Sequence, residues 1–265
     1  MTADRSFSLH AQTVGEDGET VVFLPGLFGQ GRNFSQISKA LQPSFRSVLV
    51  DLPNHGASDW TETFDYLEHA DLVADHLRAF VVDEDPVNLV GHSMGGKVAM
   101  VLALRHPELV KRLVIVDISP VRRASMGEFE HLLDALLGLR LEELSSRREA
   151  DERLQDPIPQ NMVRGFLLQS LTRTEEGLDW RPNLALLRRS LSAIGDFPAF
   201  DEEQFEGPVL WIAGEKSDYV TGEDAPEMRR FFPRTRLTTV KDAGHWVHAE
   251  QSQIFVEVLR RFLSG

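Results

Sequence analysis

Residues 87–105 constrain the fold more than any other stretch of this chain. Val87 to Val90, just after Pro86, is an apolar run of strand character. It enters the turn Gly91-His92-Ser93-Met94-Gly95, and a good helix-forming segment, Lys97 to Arg105, leaves it and is stopped by Pro107. Strand, sharp turn and helix in that order hold a serine on a bend whose backbone dihedrals ordinary residues resist. Glycines at 91 and 95 let strand and helix approach closely. The turn throws the Ser93 hydroxyl clear of the chain. Because a helix begins there, unpaired backbone N–H groups and the positive end of the helix dipole surround the oxygen of any carbonyl it attacks. The pattern predicts a nucleophilic serine.

Taken in order, Phe7 to Val14 and Thr20 to Leu24 read as strands joined by the polar turn Gly15-Glu16-Asp17-Gly18. The second runs into Pro25-Gly26-Leu27-Phe28-Gly29-Gln30-Gly31, ahead of a helix from about Asn33 to Leu41. This loop lacks the Gly-Lys-Ser/Thr of a phosphate cradle. It suits a second oxyanion donor: where a serine sits on such a turn, one donor is the N–H after it, here Met94. The other comes from the loop after an earlier central strand, here Leu27. Arg46 to Val50 is the next strand, and in the loop after it Asp51, Asn54 and Ser58 should satisfy backbone groups. His55 reads as a loop histidine, and Tyr66 to Val81 as an amphipathic helix with His69 and His76 on its face. Arg112 to Val116 is a further apolar strand, ending at Asp117. Strands alternating with helices at this spacing imply right-handed crossovers and a mostly parallel sheet, with reactive groups at the carboxyl ends of its strands. Ser93, Leu27 and Asp117 all fall on that edge.

From Val121 to Phe205 strand signals vanish and helical leucine stripes appear: Phe129, Leu132, Leu133, Leu136 and Leu137, then Met162, Phe166, Leu167 and Leu171, then Leu184, Leu187 and Leu191. The expected organisation is a core of residues 1–120 and 206–265 with a helical cap, 121–205, over the active edge. Most of the leucines should be cap core, and a minority should line a pocket. The sheet resumes over Gly207 to Ala213, followed by a helix from Asp224 to Phe232, a strand from Arg236 to Val240 and a closing helix from Gln251 to Phe262. Between the last two lies Asp242-Ala243-Gly244-His245-Trp246-Val247-His248. His245 is on a loop behind a glycine that lets the chain bend inward, and the order serine, acid, histidine is the one expected on a doubly wound sheet. It is the predicted base. His248 reads as structural, capping the closing helix.

Composition narrows the partners. A net charge of −13 argues against nucleic acid and anionic membranes, and the absence of cysteine removes thiolate, disulfide and Cys-metal chemistry. Met1 to Arg5 lacks a basic segment followed by an apolar one, and no apolar run approaches a membrane span. The expectation is a cytoplasmic monomer or homodimer with a small-molecule substrate and no cofactor or metal.

With these motifs, the chain resembles the α/β-hydrolase family. Leu-Phe-Gly (27–29), Asn-His-Gly (54–56), Gly-His-Ser-Met-Gly-Gly-Lys (91–97), Val-Asp-Ile-Ser-Pro (116–120) and Gly-His-Trp-Val-His-Ala-Glu (244–250) are similar to the small esterase and thioesterase branch that includes bacterial YbfF and its eukaryotic relatives. The resemblance implies an α/β-hydrolase fold, a doubly wound, mostly parallel sheet with a helical cap inserted after the sixth strand. It also implies a serine hydrolase acting on esters or thioesters, and the leucine-rich cap supports a preference for small, apolar acyl groups. Two departures stand out. Pro25 replaces the usual histidine before Gly26 in the oxyanion loop. In the family's Gly-x-x-Asp-x-x-Val acid motif, Gly214 and Val220 are in register, but Ser217 occupies the acid's place and Asp218 comes one residue late. Asp117, at the place the resembling branch uses, is the favoured acid, and Asp218 the alternative. The same triad could serve carbon–carbon bond hydrolysis or acyl transfer to an alcohol, and a non-catalytic binding protein on this fold is the remaining alternative.

Overall fold

The computed structural model describes residues 7–81, 85–123, 125–175 and 177–265; Met1 to Arg5 lie outside them. Strands β1 (Ala11–Val14), β2 (Glu19–Leu24), β3 (Phe45–Val50), β4 (Val87–His92) and β5 (Val110–Val116) precede a short hairpin, β6 (Leu171–Thr174) and β7 (Gly177–Trp180). Strands β8 (Val209–Gly214) and β9 (Thr235–Val240) follow it. The hairpin stands apart. The other seven strands form one sheet in the order β1-β3-β2-β4-β5-β8-β9, parallel throughout except for β1, which runs antiparallel to β3.

Successive side chains of the central strands enter opposite faces, so both faces need cover. In β2, Val22 and Leu24 join one apolar cluster and Val21 and Phe23 the other; in β5, Leu113 and Ile115 separate from Val114 and Val116 in the same way. The helices are α1 (Ser35–Leu41), α2 (Tyr66–Phe80), α3 (Met94–Arg105), α4 (Gly127–Leu137), α5 (Arg147–Leu154), α6 (Asn161–Leu167), α7 (Leu184–Arg189), α8 (Leu191–Gly195), α9 (Ala225–Phe231), α10 (Val247–Glu250) and α11 (Ser252–Leu263). Helices α2 and α3 pack into the first cluster, and α1 and α11 into the second. Helix α2 starts where the Asp65 carboxylate accepts the N–H groups of Leu67 and Glu68. Helix α3 is buried from Met94 to Leu104, which its unbroken apolar sequence requires.

The insertion corrects the sequence reading in two respects. It follows β5, the fifth strand in chain order among the described residues and not the sixth, because β1 alone supplies the antiparallel edge before β2, β3 and β4. Nor is it wholly helical: it carries the β6–β7 hairpin and the polar helix α5. Its Phe129, Leu132, Leu133, Leu136, Leu167 and Leu187 are buried in the cluster that covers the sheet face, whereas Leu137 is 45% and Met162 65% exposed. No helix among the described residues is long and apolar enough to cross a membrane.

Candidate active site

Parallel strands end at a common edge, and the loops there bring distant residues together. Gly91 of β4 lies opposite Leu24 of β2 and Ile115 of β5, so the turn at Ser93 sits between the loop holding Leu27 and the strand end holding Asp117. Ser93 has φ +52° and Asp117 φ +51°, both in the left-handed region that costs non-glycine residues about 1–3 kcal/mol. The surroundings impose this strain. The Ser93 N–H donates to the Val116 carbonyl at 3.0 Å, and the Asp117 N–H to the Ile212 carbonyl at 2.9 Å. A Cβ at Gly91 would sit on the Gly95 carbonyl oxygen, and one at Gly95 on those of Leu24 and Pro25.

Three side chains predicted from the sequence meet at this edge. His245 Nε2 is 2.9 Å from Ser93 Oγ, and His245 Nδ1 is 2.8 Å from Asp117 Oδ2. Asp117 is fully buried; its Oδ1 accepts the Gly214 N–H at 2.9 Å, and its Oδ2 also accepts the Ser217 hydroxyl. Ser217 therefore stands at the acid position of the sequence motif and donates instead to the carboxylate just past the end of β5. Asp218 is not in this cluster. Its carboxylate is 83% exposed and pairs with Arg123 at 3.1 Å, because the one-residue slip turns it away from the imidazole.

His245 is confined on every side. The Tyr219 ring stacks on it at 4.0 Å between centroids, with the Arg123 guanidinium 4.1 Å beyond, and Phe129 approaches edge-on. His92 Nε2 donates to the His245 carbonyl at 2.9 Å, and the two rings are 4.8 Å apart. Burial holds the His92 pKa well below its ordinary value, so it is neutral and this hydrogen bond fixes the proton on Nε2. The Glu250 carboxylate accepts the N–H groups of Gly244 and Trp246, on either side of His245, at 2.8 and 3.2 Å. Sequence reasoning missed the supporting roles of His92, Ser217, Tyr219 and Glu250, although the quoted motifs contained His92 and Glu250. His248 is structural, as expected, but does not cap the closing helix. Its ring packs between Phe34, His92 and Phe255, and burial lowers its pKa to about 3. His55 is buried and hydrogen-bonded at Nδ1 to the Pro53 carbonyl, and His69 is buried rather than simply on a helix face, while Asp51, Asn54 and Ser58 bond their loop's backbone.

Leu27 and Met94 line the same small cavity as Ser93, and among the described residues neither N–H has a hydrogen-bond partner. The rest of the wall is apolar at Ile118, Met126, Phe129 and Ile194, and is completed by Tyr66, Tyr219, Gly195 and the cationic side chains of Lys97 and Arg123. The remaining space is about 10 Å³, room for roughly one water. A far larger cleft of about 1030 Å³, between Lys111, Arg234 and Arg261, opens at the opposite, amino edge of the sheet. Among the described residues no group of three or more His, Asp or Glu side chains is arranged to hold a metal ion.

The family described as alpha/beta hydrolase fold matches residues 19–252. The sn-1-specific diacylglycerol lipase ABHD11 of Xenopus laevis is 37% identical over 99% of this chain and 84% of its own length. Esterase YbfF of Escherichia coli is 29% identical over 97% of this chain and 98% of its own. Among solved structures, a marine microorganism esterase superposes with a TM-score of 0.93 at 32% identity, covering 97% of this chain and 100% of that one. The chain belongs to the α/β-hydrolase fold family, in the esterase branch that includes YbfF.

Proposed function

We propose that this hydrolase of carboxylesterase type cleaves esters or thioesters of small, apolar acyl groups, with Ser93 as nucleophile, His245 as general base and Asp117 as the acid. The observation that carries the reading is the imidazole of His245, within hydrogen-bond distance of both the Ser93 hydroxyl and a fully buried carboxylate. His245 Nε2 takes the hydroxyl proton as Oγ attacks the carbonyl carbon, and Asp117 stabilises the imidazolium. The N–H groups of Leu27 and Met94 receive the oxyanion; loss of one such donor costs about 3 kcal/mol in comparable sites. The tetrahedral adduct collapses as His245 gives its proton to the leaving alcohol or thiol. Water, deprotonated by His245, then attacks the acyl-Ser93 ester; the acyl–Oγ bond breaks as His245 returns the proton to Ser93 Oγ, and the free acid leaves.

The apolar part of the wall supports a small acyl group, and the tight space at Ser93 means that residues 121–205, acting as a cap, must part to admit it. A p-nitrophenyl acetate burst with covalent labelling by a fluorophosphonate, both lost in Ser93→Ala, is the expected result. Folded protein that gives neither contradicts the reading.

A further inference from the structure

Lys97 lies one turn of α3 beyond Ser93 and is 1% exposed. A buried ammonium is costly unless its N–H groups all find acceptors. Here Lys97 Nζ donates to the backbone carbonyls of Asp196 at 2.7 Å, Gly195 at 2.9 Å and Val121 at 3.3 Å. Those acceptors come from two separate crossings: Val121 is where the insertion leaves the sheet, and Gly195–Asp196 is where its helical part ends. The crossings are also tied to each other and to α2, by the Arg123 N–H on the Gly195 carbonyl at 2.8 Å and the Tyr66 hydroxyl on the Ile194 carbonyl at 2.7 Å. Lys97, Ile194 and Gly195 line the cavity at Ser93. The segment that Lys97 holds is therefore cavity wall, and its anchor is the helix that carries the nucleophile.

We propose that Lys97 determines acyl-chain length: by clamping both crossings of the insertion to α3, it keeps the Ile194–Gly195 wall down on Ser93. The inference rests on the ester-hydrolase reading above. Lys97 is a positioning residue, since it acts through the wall. The groups that face its ammonium are the Tyr66 ring at 6.0 Å, the Asp196 carboxylate and the Arg123 guanidinium. Burial lowers its pKa to about 7, with Asp196 opposing and Arg123 reinforcing the shift. As pH rises through that value the amine keeps two N–H groups for three carbonyls and loses its charge, so the clamp loosens.

The test is the ratio of kcat/KM for p-nitrophenyl octanoate to that for p-nitrophenyl acetate, in which pH effects common to the two esters cancel. In Lys97→Met the ratio is expected to rise about tenfold, with faster hydrogen exchange at residues 121–123 and 194–197. An unchanged ratio in folded Lys97→Met overturns the proposal. Should that variant not accumulate as folded protein, the unaltered chain decides: its ratio is expected to climb severalfold between roughly pH 6 and pH 8, and a flat ratio overturns the clamp. If the unaltered chain turns over neither ester, the hydrolase reading fails by itself. Exchange then decides, and unaltered exchange in Lys97→Met removes the clamp as well.

Discussion

At the residue scale, the two carboxylates make opposite predictions. Asp117→Asn leaves the shape of the site but places an amide N–H against His245 Nδ1, so Nε2 carries the proton and can no longer accept one from Ser93. A loss in kcat on the order of 10⁴ is expected. Asp218→Asn removes only an exposed pair with Arg123, and steady-state kinetics should change little. Ser217→Ala takes one donor from the Asp117 carboxylate. A fully buried carboxylate is then short of one hydrogen bond, and the folded protein should lose about 1–3 kcal/mol, seen as a lower urea midpoint. The serine and histidine were legible because each sits in a short local pattern that bends the chain. The hydrogen bond from Ser217 to Asp117 was not, because it joins loops 100 positions apart and only the sheet's register aligns them. The clamp at Lys97 was hidden for the same reason, its acceptors being backbone carbonyls that any sequence would supply.

At the scale of elements, the strands and long helices were read to within a few residues wherever one face is buried, since burial writes a period into the sequence. Helix α5 escaped because only Ala150 and Leu154 of its residues are buried, too few to make a stripe. The β6–β7 hairpin has four residues on each side, and exposed Arg173, Thr174 and Asp179 leave no alternation to detect. The turn between β4 and α3 admits the sharpest test. Gly95→Ala would drive a methyl onto two carbonyl oxygens of the β2 strand end, which backbone can relieve only by moving the Leu27 loop. Destabilisation of about 3 kcal/mol or more is expected, seen as a lower urea midpoint together with loss of esterase activity. A Gly95→Ala protein with an unchanged midpoint would contradict the close approach described here.

For the whole molecule, buried neutral histidines set the acid limit of stability. Burial lowers the pKa of both His69 and His248 to about 3 in the folded chain, whereas in the unfolded chain each titrates near 6.5. Between those values the unfolded state binds more protons, so acid favours unfolding. Stability is fully present above about pH 6.5 and should fall by roughly 1 kcal/mol per pH unit for each histidine as pH drops toward 3. Urea midpoints between pH 7 and pH 4 measure that slope, and His69→Gln should make it shallower.

Sheet order also fixes when reactivity first arises. Ser93 and Asp117 follow central strands, but the imidazole follows β9, the outermost parallel strand and the last in chain order among the described residues. On the proposed triad, a nascent polypeptide with its central strands already paired lacks its general base until the segment around residue 245 clears the ribosome. Until then the proposed nucleophile would have no imidazole to take its proton.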